Sequence, residues 1–368
     1  MKTIRLSSLL HSIALLAACL AIMACSSPSR AQTYPPAFST SASYAIGDQV
    51  QLNGNVLRAT HAVTPGGFKY DDWELWEVRA NTVLVVGVSQ TFTTLPLAWA
   101  YVKNARIADG AYLHVYISTA HGIFNESFNA PFSLDQGSGA DITLTGDTKA
   151  NINLTFTNSN GLVVDSGHSF GTISNITITG ENSYTGITAT TGGAIADISN
   201  VESSQFGVSV YAFQSGNVHV ENTFSATTSG TVFAAGMDGS IVVANGLTIN
   251  GTGAGTCFYA NHNGSIIAES CTVGTGTGTA GFAQGVWAEN GGFIDVNSGS
   301  INDCTLGCEA DFGGRITIRS GSLGRTVHSN GEDMKVFDGG TIDATSAVGN
   351  GSNFVGSNDG SYIWTNSG

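Results

Sequence analysis

The sequence predicts a mostly β protein built as a parallel solenoid, with one capping helix and a small β module ahead of it. Three observations carry this prediction. The 368 residues include 48 Gly but only 6 Pro, with 42% hydrophobic and 11% charged residues. That is the balance of a folded chain rather than of a charged disordered one or a membrane bundle. All six prolines lie at or before Pro131, whereas 41 of the 48 glycines follow it, so the chain becomes a regular array at that point. Within the array one glycine recurs every 22 to 28 residues, at Gly193, Gly216, Gly239, Gly264, Gly292, Gly314 and Gly340.

That glycine sets a register. Four residues before it stand Ala189, Ala212, Ala235, Ala260, Ala288, Ala310 and Val336. Two residues after it stand Ile195, Val218, Ile241, Ile266, Ile294, Ile316 and Ile342. Apolar residues two apart on short runs, separated by glycine turns, mean strands whose alternate side chains fill an interior. A period of this length means a solenoid.

The elements ahead of the array follow in order. Residues 1–31 begin with Lys2 and Arg5, run apolar from Leu6 to Met23 and reach Ser29-Arg30-Ala31, the pattern of an export signal cleaved after Ala31. Leu16-Ala17-Ala18-Cys19 resembles a bacterial lipobox and the residues before Cys25 a weaker one, which leaves a lipid-anchored form open. No membrane span is expected in the mature chain, and the destination is the cell surface or the medium. The 13 Lys+Arg against 27 Asp+Glu give a net charge of −14, and the leader's charged residues, Lys2, Arg5 and Arg30, are all basic, so its loss makes the chain more acidic. Such a field repels phosphate backbones, so nucleic acid is excluded as a partner.

Residues 34–79 read as a small β module. Strands around the Asn53-Gly54 turn precede Trp73-Glu74-Leu75-Trp76-Glu77. The order of these elements resembles the small carbohydrate-binding modules of chitinase type, over about 45 residues. The resemblance implies a stacking platform made by Tyr44, Trp73 and Trp76, although Leu52 and Leu57 stand where that family has aromatics. In residues 81–147, a strand at 82–88, a helix at 93–107 and a strand at 111–118 read as the cap on a solenoid end. Residues 148–368 are the solenoid itself. Its coils, with three short strands each, resemble the right-handed parallel β-helix of pectate-lyase-like enzymes and phage tailspikes.

The register also assigns faces. Columns five and three residues before the glycine flank an inward position and point outward. The first reads Thr188, Tyr211, Ala234, Tyr259, Trp287, Glu309, Lys335, and the second Thr190, Phe213, Gly236, Asn261, Glu289, Asp311, Phe337. Tyr211, Tyr259 and Trp287 form a ladder of flat rings suited to the apolar faces of sugars. Beside them, Glu309 and Asp311 lie two apart on one strand, about 6.6 Å between Cα atoms, and Glu289 lies one coil from Asp311, about 4.8 Å. Glu289, Glu309 and Asp311 are therefore candidates for general acid and base in glycan cleavage, against the plainer reading of a solvated acidic face.

Arg315, Arg319, Arg325 and Lys335 cluster in sequence, as uronate neutralisation in a lyase would require. The arginine-rich strands of pectate lyases and the paired-aspartate and His-Gly motifs of polygalacturonases are missing, so the resemblance carries fold and carbohydrate context but no catalytic residue. Cys257, Cys271, Cys304 and Cys308 have no zinc spacing, and His168, His219, His262 and His328 no ligand spacing. No metal and no cofactor is expected, with calcium left open. The expected partner is a polysaccharide or cell-surface glycan. The alternative is a phage-tail-like fibre or adhesin with a structural stalk, for which tailspike resemblance leaves a homotrimer open.

Overall fold

The computed structural model describes residues 35–365 except 228–229, 244–245, 250–254, 275–280, 324–331, 350–353 and 357–359. The leader with Cys19 and Cys25, together with Arg325 and His328, lies outside the described residues. Strand makes up 51% and helix 6%, and the strands stack in parallel into a β-helix of about 10 turns. Among the described residues it has three parallel sheets, of 15, 10 and 5 strands. A representative coil runs through Thr256–Asn261 in the 10-stranded sheet, Ser265–Ile267 in the 15-stranded sheet and Thr272–Val273 in the 5-stranded sheet, then rises to Phe282–Ala288.

The glycine register is the stacking register. Ala189, Ala212, Ala235, Ala260, Ala288, Ala310 and Val336 are successive pairing partners. So are Ile195, Val218, Ile241, Ile266, Ile294, Ile316 and Ile342. All of these side chains are buried, at 3% exposure or less. Larger rings fill the rest of the interior, among them Phe233 and Phe258, stacked at 5.6 Å and 20°.

The register glycine is required for space. A Cβ on Gly264 would lie 2.1 Å from the Ala235 carbonyl oxygen of the coil before. On Gly292 it would lie 2.2 Å from the Ala260 oxygen, and on Gly314 2.1 Å from that of Ala288. The two residues ahead of each such glycine take left-handed backbone, as in His262-Asn263 (φ 46 and 63) and Phe312-Gly313 (φ 44 and 77). That double left-handed turn carries the chain around the corner between the 10- and 15-stranded sheets, and the glycine N–H closes it on the residue three before, as Gly264 does on Asn261 at 2.8 Å.

The 15-stranded sheet extends back through Ile142–Gly146 and Leu113–Ile117 to Thr82–Val86, so stacking begins ahead of residue 148, inside the segment read as the cap. The cap helix is Leu95–Val102, with Thr94 accepting the Leu97 N–H and Pro96 in the first turn, where its missing N–H costs nothing. Its Trp99 packs on Phe132 and Phe170 at 5.7 and 6.0 Å and so covers the open end of the core. The helix is shorter than residues 93–107, because Arg106–Ile107 pair with Glu77–Val78 of the N-terminal module. No helix among the described residues is long and apolar enough to cross a membrane.

The four array cysteines lie buried, and none is in a disulfide. Burial pushes the thiol of Cys271 up to about 11 and that of Cys304 up to about 12, so they serve as small apolar core groups.

The two kinds of glycine separate in a substitution test. Gly264→Ala is expected to lose about 2–3 kcal/mol by overpacking against the Ala235 carbonyl. Gly313→Ala, left-handed but with nothing near its Cβ position, should lose about 1 kcal/mol. Thermal or denaturant unfolding of the two variants beside the parent checks the order.

Candidate functional site

The outer face of the 10-stranded sheet carries the residues the register points outward. Tyr211, Tyr259, Trp287, Glu309 and Lys335 are half-buried, as are Phe213, Asn261, Glu289, Asp311 and Phe337. Direct pairing of Tyr259 with Trp287, Trp287 with Glu309 and Glu309 with Lys335 runs them in a line up the stack. Tyr259 and Trp287 have ring centroids 4.8 Å apart at 44°. Tyr211 lies two coils below Tyr259 and pairs instead with Phe213, at 5.2 Å. Between the two groups stand Ala234 and Gly236, which project no more than a methyl group. Ala234 is only 3% exposed, and a Cβ on Gly236 would meet the Asn261 Oδ1 at 2.5 Å and the Tyr211 hydroxyl at 3.4 Å. Neighbouring side chains thus lean in over the gap.

Each of the three carboxylates is held by a donor from the same face. The Tyr259 hydroxyl donates to Glu289 and accepts from Asn261 Nδ2 at 2.8 Å. The Trp287 indole N–H donates to Asp311 at 3.3 Å. Gln284 Nε2 donates to Glu309, while its own Oε1 accepts the Thr256 hydroxyl at 3.0 Å. Burial holds the Glu309 carboxyl above its ordinary value, the nearby Lys335 charge opposes this, and Asp311 and Glu289 add to it. Burial likewise raises Asp311, against the Trp287 hydrogen bond and with the charges of Glu289 and Asp338. The Tyr259 phenol is raised by burial and by its bond to Glu289. Lys335 lies over the Phe337 ring, its ammonium 5.0 Å from the centroid, as a cation–π contact.

Gln284 is the residue of this network that alternation misses. Counting back two at a time from Trp287 puts Gly285 outward. Gly285 is in fact buried, its Cβ position 2.4 Å from the Ile301 side chain, and the outward position shifts to Gln284. At the sheet margin, Phe312 follows Asp311 in left-handed backbone and is 56% exposed, an unfavourable conformation for a bulky residue in an unfavourable environment.

The stacking platform expected in the N-terminal module does not form. Trp73 is 2% exposed, and its ring is enclosed by Phe38, Tyr44 and Phe68. The half-buried Tyr44 meets Trp73 edge-on at 5.1 Å, and its hydroxyl is occupied by Ser39, accepting the N–H at 2.7 Å and donating to the carbonyl at 3.2 Å. The reason is size. A three-stranded antiparallel sheet of this length needs its large rings for a core. Trp76 is half-buried with the Arg58 guanidinium 3.7 Å above its ring, and Arg58 is itself paired with the buried Glu74.

The clustered basic residues also part. Arg315 lies over Phe293 at 5.9 Å, and Arg319 pairs with Asp343 at 2.6 Å. Arg315 is on the 15-stranded sheet and Arg319 in the turn that follows its strand, whereas Lys335 is on the 10-stranded sheet. A scan against protein-family models finds no match, and neither does a search of curated proteins or of solved structures.

The raised Glu309 carboxyl has a stability consequence. Its folded-state pKa lies above the unfolded one, so the ionised form is penalised by folding. That penalty is present above the folded pKa and is relieved as pH falls through it toward the ordinary carboxylate value. Glu309→Gln is therefore expected to melt above the parent at neutral pH, with the gap closing in acid. Melting curves from pH 8 down to about 4 test this, and a gap independent of pH would refute it.

Proposed function

We propose that this is an exported protein that binds polysaccharide along the outer face of its 10-stranded sheet. The observation that carries the reading is the joining of flat rings to anchored carboxylates in one stripe, with Tyr259 bonded to Glu289 and Trp287 to Asp311. Sugar rings are recognised by apolar C–H faces on aromatics and by fixed acceptors for hydroxyls. Here the same two rings that offer faces also hold the acceptors in place, so stacking and hydroxyl recognition are preorganised together. A stripe parallel to the stack suits a chain of repeated units, because successive coils present equivalent positions about 4.8 Å apart. The exposed Phe312 ring extends the apolar margin beside Asp311.

The same carboxylates are the groups that would cleave a bound glycan. Glu309 and Asp311, whose carboxyls burial raises above their ordinary values, are placed to exchange a proton with a bound glycan. Gln284 and Trp287 orient the two acids.

Retention of the mature protein on a panel of immobilised polysaccharides, with new chain ends assayed in parallel, tests both levels. Trp287→Ala and Tyr259→Ala should each weaken retention about tenfold or more, whereas Trp76→Ala should leave it unchanged. If the protein cleaves, Glu309→Gln and Asp311→Asn should abolish new ends while retention persists. Retention indifferent to Trp287 and Tyr259 would overturn the reading.

A further inference from the structure

On the 15-stranded sheet, away from the aromatic stripe, Asp197 of strand Ala194–Ser204 meets His219 and Glu221 of strand Asn217–Thr227. Their ligand atoms all lie within 4.8 Å of one another. His219 Nδ1 is 3.8 Å from Glu221 Oε1, with side chains 36% and 49% exposed. A β-bulge makes the meeting. Ile195 pairs with Val218 and Ile198 with Val220, so Ala196 and Asp197 together oppose the single residue His219. A bulge of this kind re-aims a side chain out of the regular pleat, and here it turns Asp197 toward the next strand.

The environment of Asp197 is unusual for a carboxylate near the surface. Its carboxylate accepts the backbone N–H of Glu221, but its Oδ1 is buried with no hydrogen-bond partner. Leaving such an oxygen bare is costly unless something positive meets it. The pairing neighbours bring no charge. Thr172 lies beside Asp197 in the coil before, and Val242 beside His219 in the coil after. Among the described residues, His219 and Glu221 are the titratable groups that face Asp197, and Glu221 adds a second carboxylate.

We propose that Asp197, His219 and Glu221 bind one first-row divalent transition ion of the zinc class. One imidazole and two carboxylates are a mixed N/O set that such ions favour, whereas calcium seeks six or more oxygens. Metal–ligand bonds of about 2.1 Å place ligand atoms about 3.0–3.4 Å apart. Rotation of the exposed Glu221 side chain closes the remaining gap. Three protein ligands on an open sheet face leave further coordination positions to solvent or a ligand from outside. The site is independent of the glycan stripe, and either can exist without the other.

Titration of the chelator-treated, untagged mature protein with Co2+, read by its visible absorption, tests the site directly. One equivalent should bind, be displaced by Zn2+ and be unaffected by Ca2+. Asp197→Asn, His219→Gln and Glu221→Gln should each weaken binding about tenfold or more, while His262→Gln, in an exposed turn of another corner, should bind as the parent. Glu221 is exposed enough that its variant keeps the fold, which circular dichroism verifies. Absence of Co2+ uptake by the parent at about 100 µM metal, or unchanged binding by the Asp197 and His219 variants, would overturn the assignment.

Discussion

The structure depends on one close approach, between the backbone of a register glycine and the carbonyl oxygen of the small inward residue in the preceding coil. A Cβ at Gly216 would lie 2.0 Å from the Ala189 oxygen, and one at Gly340 2.2 Å from that of Ala310. Because the corner is locked at this contact, coils stack in one register. A slip by one residue would carry the inward Ile column of the 15-stranded sheet from core to solvent. The alternation that buries Ile266 is also what presents Tyr259 and Glu289 on the neighbouring face.

The candidate-site side chains lie where the repeat is regular, and again where it breaks. The stripe of Tyr259, Trp287, Glu309 and Lys335 is a product of regularity, since identical columns on successive coils are direct neighbours. The Asp197 cluster is a product of irregularity, since a single extra residue between Ile195 and Ile198 redirects a carboxylate. Gln284 reaches Glu309 for a related reason, because Gly285 turns inward and displaces the alternation. A solenoid offers both routes cheaply, as each coil contacts only its neighbours and tolerates local change.

The N-terminal module shows the opposite pressure. With only a small antiparallel sheet, it commits Phe38, Tyr44, Phe68 and Trp73 to its own core and borrows Arg106–Ile107 from the following segment for a fourth strand. Tyr70, Phe92 and Tyr101 continue the same aromatic packing into the cap. Its rings hold the module on the end of the β-helix, which is a structural use of residues whose types alone resemble a binding platform.

Period, glycine corner and alternation were legible in the residues, because stacking demands the same side-chain size at the same column in every coil. They determined the solenoid, the pairing of Ala212 with Ala235 and Ile241 with Ile266, and the outward face that gathers Tyr259, Trp287, Glu289, Glu309 and Asp311. Spacing along one strand could not reveal contacts made across strands out of register, or how far a ring is covered. Only the tertiary structure decided that Trp73 is interior, that Gln284 orients Glu309, that Arg315 and Lys335 lie on different sheets, and that His219 meets Asp197. Each of these depends on a bulge, a turned glycine or a packed neighbour, which are properties of three-dimensional packing with no period in the chain.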